Sequence, residues 1–451
     1  MGQVSQKSIP NIRKIHFFND KALHTIGVVY NQLTGAPMLE RQLVQARGSK
    51  ALTLGDGTPA FQFQIKNPNY RGVPASLIDG IDIELNGKQY AHDAASWTLG
   101  GQTLSLAQLQ ESETLRWPLD ELATITLPVD APLEAGVQDL SVCVYIRRPY
   151  IPGPFCRSPF RAKAKPVIIG ENKNTGMPLS VSTYSYTGDM YTLITLEDFM
   201  ADAADMGATG IEMLAEANLP GYPDVSAEWK ASWFALLEKY HLTPTNLGTW
   251  IDTARWHSRD LTADEGAAQL EQDLKLAAEL GFTSIRPKFG VTSLELDPHP
   301  IWQEAVLRAL PLAEELNVII CPEIHSPTPI KHKVTQDYIA FIKKHNTTHF
   351  KLMIDTGIFQ TAPCDDGHEG IEVKGGKRPP FLEPLAVPMA DFAEIMEHVY
   401  FIQTKFFEID DNLHDLHIPW DNIVATLKAC GWKGWLSSEY EGRREPYRGR
   451  D

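Results

Sequence analysis

From Pro178 onward, short apolar runs alternate with amphipathic stretches, and this change of period restricts the fold more than any other feature of the chain. The apolar runs are Leu179–Ser185, Gly210–Leu214, Thr243–Thr249, Thr283–Lys288, Val318–Ile324, Phe350–Asp355, Tyr400–Phe406 and Gly434–Ser438. Between them lie LEDFMADAADMG, AEWKASWFALLEKYH, ADEGAAQLEQDLKLAAELG, PIWQEAVLRALPLAEELN, KVTQDYIAFIKKHN, MADFAEIMEHV and PWDNIVATLKACG, whose apolar residues recur at three-four spacing. Strand and helix in strict alternation demand a parallel sheet with right-handed crossovers. Eight such units match a closed (β/α)8 TIM barrel, and a doubly wound open sheet is the second choice.

Residues 1–165 read differently. Phe61–Asn67, Ser76–Gly87, Glu121–Val129 and Asp139–Arg148 alternate apolar and polar residues and are punctuated by Asn-Gly, Gly-Gly and Pro turns, while Leu104–Gln110 hints at one short helix. The expectation is an all-β sandwich over 1–165, joined through the polar, Pro-containing link Ser158–Pro166 to a catalytic barrel over 166–451. The turn-rich loop Asn67–Pro74 with its Tyr70-Arg71 pair is a candidate for framing the barrel's pocket.

A formal net charge of -16 repels phosphate backbones and anionic bilayers, which excludes nucleic acid and membrane surfaces as partners and favours a small neutral substrate. Five cysteines with no CxxC pair argue against a disulfide framework. The first twenty residues lack the apolar core of a signal peptide and no run approaches membrane-spanning length, so a cytoplasmic location is expected.

In a barrel of this kind functional groups sit at the C-terminal ends of strands. There the sequence places Tyr184 and Tyr186, Glu212 and Glu216, Trp250, Arg286 and Lys288, then Glu323 and His325, Asp355, Gln403 and Lys405, and Glu439. Glu323 and His325 are two residues apart, so both project from one face of a strand end. Converging carboxylates repel one another unless a cation sits among them. Carboxylates with an amide oxygen or an imidazole suit a divalent ion, Mn(II) first, with Mg(II), Co(II) and Zn(II) accepting similar ligands. The Gly/Pro/charge-rich insertion Thr361–Pro388 is the lid candidate. His332, His368, His414 and His417 lie in loops or at helix starts.

PEIH at 322–325, IDTG at 354–357, QTK at 403–405 and SSEY at 437–440 resemble the strand ends of the xylose isomerase-like sugar isomerase/epimerase superfamily. That resemblance implies a divalent metal held by Glu323, Asp355, Gln403 and Glu439, with Gln403 standing where His is usual and the two glutamates available as acid and base. NPNYRGVPASLIDGIDIELNGK, GGQTLSLAQL and IRRPYIP resemble the β subunit of bacterial C-glycoside deglycosidases, whose α subunit the barrel resembles.

Together the resemblances imply a metal-dependent lyase that cleaves the bond from carbon 1 of a 3-oxo-glycoside to its aglycone, and association of copies as in other barrels of the superfamily. Either His325 or Glu439 would take the carbon 2 proton, with Glu323 on the metal and Lys405 orienting a substrate oxygen or tuning a carboxylate. A ketose or cyclitol epimerase would use the same carboxylates, and a non-catalytic carbohydrate-binding protein is the third reading.

Overall fold

The computed structural model describes residues 42–151, 153–170, 176–187, 189–191, 194–293, 296–363 and 384–442. Most of the lid candidate, with Cys364 and His368, lies outside them, as do the first forty residues and the basic tail.

The leading region forms two main antiparallel sheets, of five and four strands, with two short two-stranded ladders beside them. One pairs Pro59–Lys66 with Leu122–Pro128 and that strand with Ser96–Leu99, while the other pairs Ile78–Leu85 with Leu140–Arg147 and that strand with Arg157–Ala164. Alternate residues of both sheets, among them Phe61, Phe63, Ile81, Ile83, Ile125 and Val144, meet in one apolar core, which makes a sandwich. The short helix begins at Leu106, two residues later than its sequence suggests, because Ser105 caps it. Asn67 closes the Asn67–Pro74 loop onto its own region through the Trp117 carbonyl (2.8 Å), leaving Tyr70 72% exposed. Contact with the barrel is made elsewhere, where Arg47 lies 3.4 Å from Asp198 and 3.6 Å from Asp202.

The barrel strands run Leu179–Ser182, Gly210–Leu214, Thr243–Ile251, Ser284–Phe289, Ile319–Ile320 with Glu323–Ile324, Leu352–Asp355, Val399–Phe406 and Leu436–Tyr440. Each pairs in parallel with its neighbours, and the first pairs with the eighth. The fifth strand, expected to be continuous, is broken at Pro322, which has no N–H to donate to a ladder. Its carbonyls and amides still close the barrel, with Cys321 N–H donating to Ile285 O (2.9 Å) and Met353 N–H to Pro322 O (3.0 Å). The first strand ends at Ser182, three residues early, and a 3-10 turn over Thr183–Tyr186 carries Tyr184 and Tyr186.

All seven amphipathic stretches become helices, the sixth shortened to Met389–Glu394 plus a 3-10 turn. Thr262 and Glu265 form a reciprocal cap at the start of Ala263–Leu280, and Gly281 ends that helix in the left-handed region. The buried helix faces and the outward strand residues merge into one core that holds Phe199, Trp233, Leu274, Trp302 and Phe392. No helix of the described residues is long and apolar enough to cross a membrane, and Cys143, Cys156, Cys321 and Cys430 are free thiols.

Below the mouth the barrel interior is polar. Glu212 accepts from Asn246 (2.9 Å) and Ser437 (2.7 Å), and Asn246 accepts in turn from Ser284 (2.8 Å). Burial, then the nearby Glu439 charge, pushes Glu212 up to about 7 against an ordinary value near 4.5. Between those values the native state holds a proton that the unfolded chain has released, so stability falls as pH rises through the window and stays lower above it. Glu212→Gln is expected to gain about 3 kcal/mol on the wild type at pH 8 compared with pH 4, a difference that denaturant titration at the two pH values measures.

Candidate active site at the C-terminal mouth of the barrel

Three groups of the fifth and sixth strands meet at metal-ligating separation. Glu323, His325 and Asp355 each offer one ligand atom, and these atoms lie within 4.8 Å of one another. Glu323 opens the short strand Glu323–Ile324, His325 follows directly after its end, and Asp355 ends the adjacent parallel strand.

Each group is held by its own surroundings. Asp355 Oδ1 accepts the Gly357 N–H at 2.6 Å, and a Cβ on Gly357 would come within 2.8 Å of that oxygen, so the IDTG turn needs glycine there. Asp355 Oδ2 is fully buried with no hydrogen bond of good geometry; Lys405 Nζ stands 3.0 Å away and His325 Nε2 3.7 Å. His325 Nδ1 lies 2.6 Å from the Ser326 carbonyl. A carbonyl only accepts, so Nδ1 carries a hydrogen, and in the neutral ring Nε2 is then the acceptor on the side of the carboxylates. Glu323 Oε2 faces Arg286 (3.4 Å) and Lys288 (3.9 Å). Its burial favours the neutral acid, yet those cations, with Lys405, hold it down at about 2.

The seventh and eighth strands add a second, cation-centred cluster. Register places Asp355 opposite Gln403, and Lys405 opposite Glu439. The fully buried Lys405 ammonium reaches Asp355, Glu439 Oε1 (2.5 Å) and Glu441. Burial opposes its charge, but the three carboxylates outweigh it and keep Lys405 protonated well above its ordinary value. Glu439 Oε2 accepts from Gln403 Nε2 and from Ser182 Oγ (3.4 Å). Burial raises the Glu439 carboxyl in spite of Lys405. Gln403 Oε1 is buried with no hydrogen-bond partner.

Of the sequence-predicted residues, Glu323, His325 and Asp355 come together at ligand distance. Glu439 and Lys405 pair with each other, and Gln403 bridges Asp355's strand and Glu439. Glu441 and Ser182 were not anticipated. The signal for Glu441 was present, since Glu439 and Glu441 repeat the two-residue spacing of Glu323 and His325. Among the loop histidines, His332 caps the helix Lys333–His345, His414 is exposed, and His417 packs between Ala362 O and Glu408.

These residues fit a divalent cation on two grounds. The buried oxygen Gln403 Oε1 lacks a hydrogen-bond partner, which is costly unless something else coordinates it, and Asp355 Oδ2 has only the shared Lys405 ammonium at 3.0 Å. The four carboxylates Glu323, Asp355, Glu439 and Glu441 also face three cations, Arg286, Lys288 and Lys405, and the uncompensated negative charge gathers around Lys405, whose one ammonium serves three of the carboxylates.

Residues 39–150 match the C-glycoside deglycosidase beta subunit family, and residues 200–450 match the xylose isomerase-like TIM barrel family. The "C-glycoside deglycosidase alpha subunit" of Arthrobacter globiformis is 26% identical over 59% of this chain and 86% of its own length. The "3'-dehydrocarminate deglycosidase alpha subunit" of a Microbacterium species is 24% identical over 58% of this chain and 88% of its own. The "C-glycoside deglycosidase beta subunit" of Eubacterium cellulosolvens is 26% identical over 25% of this chain and 78% of its own. One polypeptide thus aligns with both kinds of subunit. The chain belongs to the xylose isomerase-like TIM barrel family and carries, ahead of the barrel, a C-glycoside deglycosidase beta-subunit region.

Proposed function

We propose that this chain is a metal-dependent lyase that removes the aglycone from 3-oxo-glycosides by elimination across carbons 1 and 2. The observation that carries the reading is the meeting of Glu323, His325 and Asp355 at ligand distance, with the His325 ring oriented by its Nδ1–H on Ser326 O, beside the buried, unpartnered Oε1 of Gln403. The names of the deglycosidase relatives support it, and the name 3'-dehydrocarminate points to a sugar oxidised at the 3' position.

Glu323, Asp355 and Gln403 Oε1 would hold a divalent cation, Mn(II) first, which when bound supplies Lewis-acid polarisation of the substrate's 3-oxo group. His325 Nε2 takes the proton from carbon 2. Its Nδ1–H, donating to Ser326 O, keeps the ring in the accepting tautomer and steadies the imidazolium that forms. The electron pair of the C2–H bond becomes the C1=C2 double bond as the C1–aglycone bond breaks. That bond's pair leaves with the aglycone, which takes up one proton from solvent. Glu439, held by Lys405, Gln403 and Ser182, keeps the far wall of the site in place.

The test is an assay on matched C- and O-linked 3-oxo-glycosides that measures released aglycone together with solvent-deuterium incorporation. Release supports the lyase. Exchange at carbon 2 without release would turn the assignment to an epimerase. Exhaustive chelation is expected to lower the release rate by about 10²-fold or more, with recovery on adding Mn(II), and a chelated protein of full activity would sink the metal role.

A further inference from the structure

The fourth strand ends on two cations that face one carboxylate. Arg286 is 6% exposed; its Nη1 is 3.4 Å from Glu323 Oε2, and its Nε is buried without a partner. Its guanidinium packs 5.2 Å from the Trp250 ring and over Gly248, where a Cβ would come within 2.8 Å of Nη2. Lys288 lies two residues on, its side chain 44% exposed and its Nζ 3.9 Å from the same Glu323 oxygen. Lys405 cannot add to this pair, because its ammonium is already shared among Asp355, Glu439 and Glu441.

We infer that Arg286 and Lys288 form a carboxylate-binding subsite beside the reaction centre, so that glycosides bearing an acidic substituent are preferred over their neutral counterparts. Two cations sharing one carboxylate leave a single positive charge, which a carboxylate neutralises and a phosphate dianion overshoots. A planar guanidinium also matches the two oxygens of a carboxylate. This specificity rests on the proposed 3-oxo-glycoside reading for the rest of the substrate. The carboxylate belongs either to the aglycone or to carbon 6 of the sugar, since both offer the same chemistry.

The experiment compares two matched pairs on the metal-loaded full chain. One pair is the 3-oxo-glucosides of phenol and of 4-hydroxybenzoate; the other is phenyl 3-oxo-glucoside and phenyl 3-oxo-glucuronide. In one pair kcat/KM is expected to favour the acid by about 10-fold or more, and Lys288→Met is expected to bring that ratio toward one. The pair that responds locates the carboxylate. A ratio near one in both pairs, or a preference that survives in Lys288→Met, overturns the inference. Cleavage of none of the four compounds would defeat the lyase reading instead. Calorimetric binding of the same pairs then decides the subsite alone, with tighter binding of an acid that Lys288→Met abolishes supporting it and equal affinities overturning it.

Discussion

Alanine in place of His325 is expected to lower kcat/KM for a 3-oxo-glycoside by about 10²–10⁴-fold, the range a positioned general base contributes, while bound divalent metal stays near the wild-type amount. The expectation follows from the hydrogen bond of Nδ1 to Ser326 O, which in the neutral ring makes Nε2 the acceptor, and from the carboxylates around it. Steady-state kinetics paired with metal analysis separates the roles this position could fill. Full turnover with full metal would make His325 structural. Loss of metal together with activity would move it into the ligand set with Glu323 and Asp355, which its distance allows.

Replacing Lys405 with methionine is expected to have the largest effect on stability. It removes the cation shared by Asp355, Glu439 and Glu441 and leaves buried carboxylates without a partner, a change that costs about 3–5 kcal/mol. In the wild type, burial pushes Glu441 up, yet Lys405 and the Tyr184 hydroxyl bring it down to about 2. Without Lys405 the folded-state values of these carboxyls rise above their unfolded values. The native state of the variant then binds extra protons, so its deficit is greatest at pH 8 and shrinks as pH falls toward 5. Denaturant titration at both pH values, with and without Mn(II), checks the sign, and metal is expected to recover part of the loss. A deficit below about 1 kcal/mol at pH 8 would mean that the carboxylates find compensation elsewhere.

Much of this arrangement was legible in the chain. The switch from a two-residue to a three-four period located the barrel, and the strands fell within a few residues of their expected bounds. The errors have local causes: Pro322 cannot donate to a ladder, and Ser182 starts a 3-10 turn by accepting the Tyr184 N–H. Glu323, His325 and Asp355 could be read as one site because strand polarity places them at a common end. Glu441 was overlooked although it repeats the spacing of the pair that was noticed.

Side-chain partnership was not legible. Lys405 could be described from sequence only as orienting substrate or forming an ion pair. Parallel register sets it opposite Glu439, and burial removes the water that would otherwise satisfy it, so three carboxylates gather on one ammonium. Gln403 likewise resembled a metal ligand, and the fold turns its amide nitrogen to Glu439 while leaving its oxygen unpartnered.

The sequence by itself determined the order of strands and helices and which strand ends carry polar groups, because hydrophobic period and strand polarity are properties of neighbours along the chain. Tertiary structure alone decided which of those groups share a proton, a cation or an orphaned oxygen. Such sharing depends on distances of a few ångströms between residues tens to hundreds of positions apart, and on how much water is left between them.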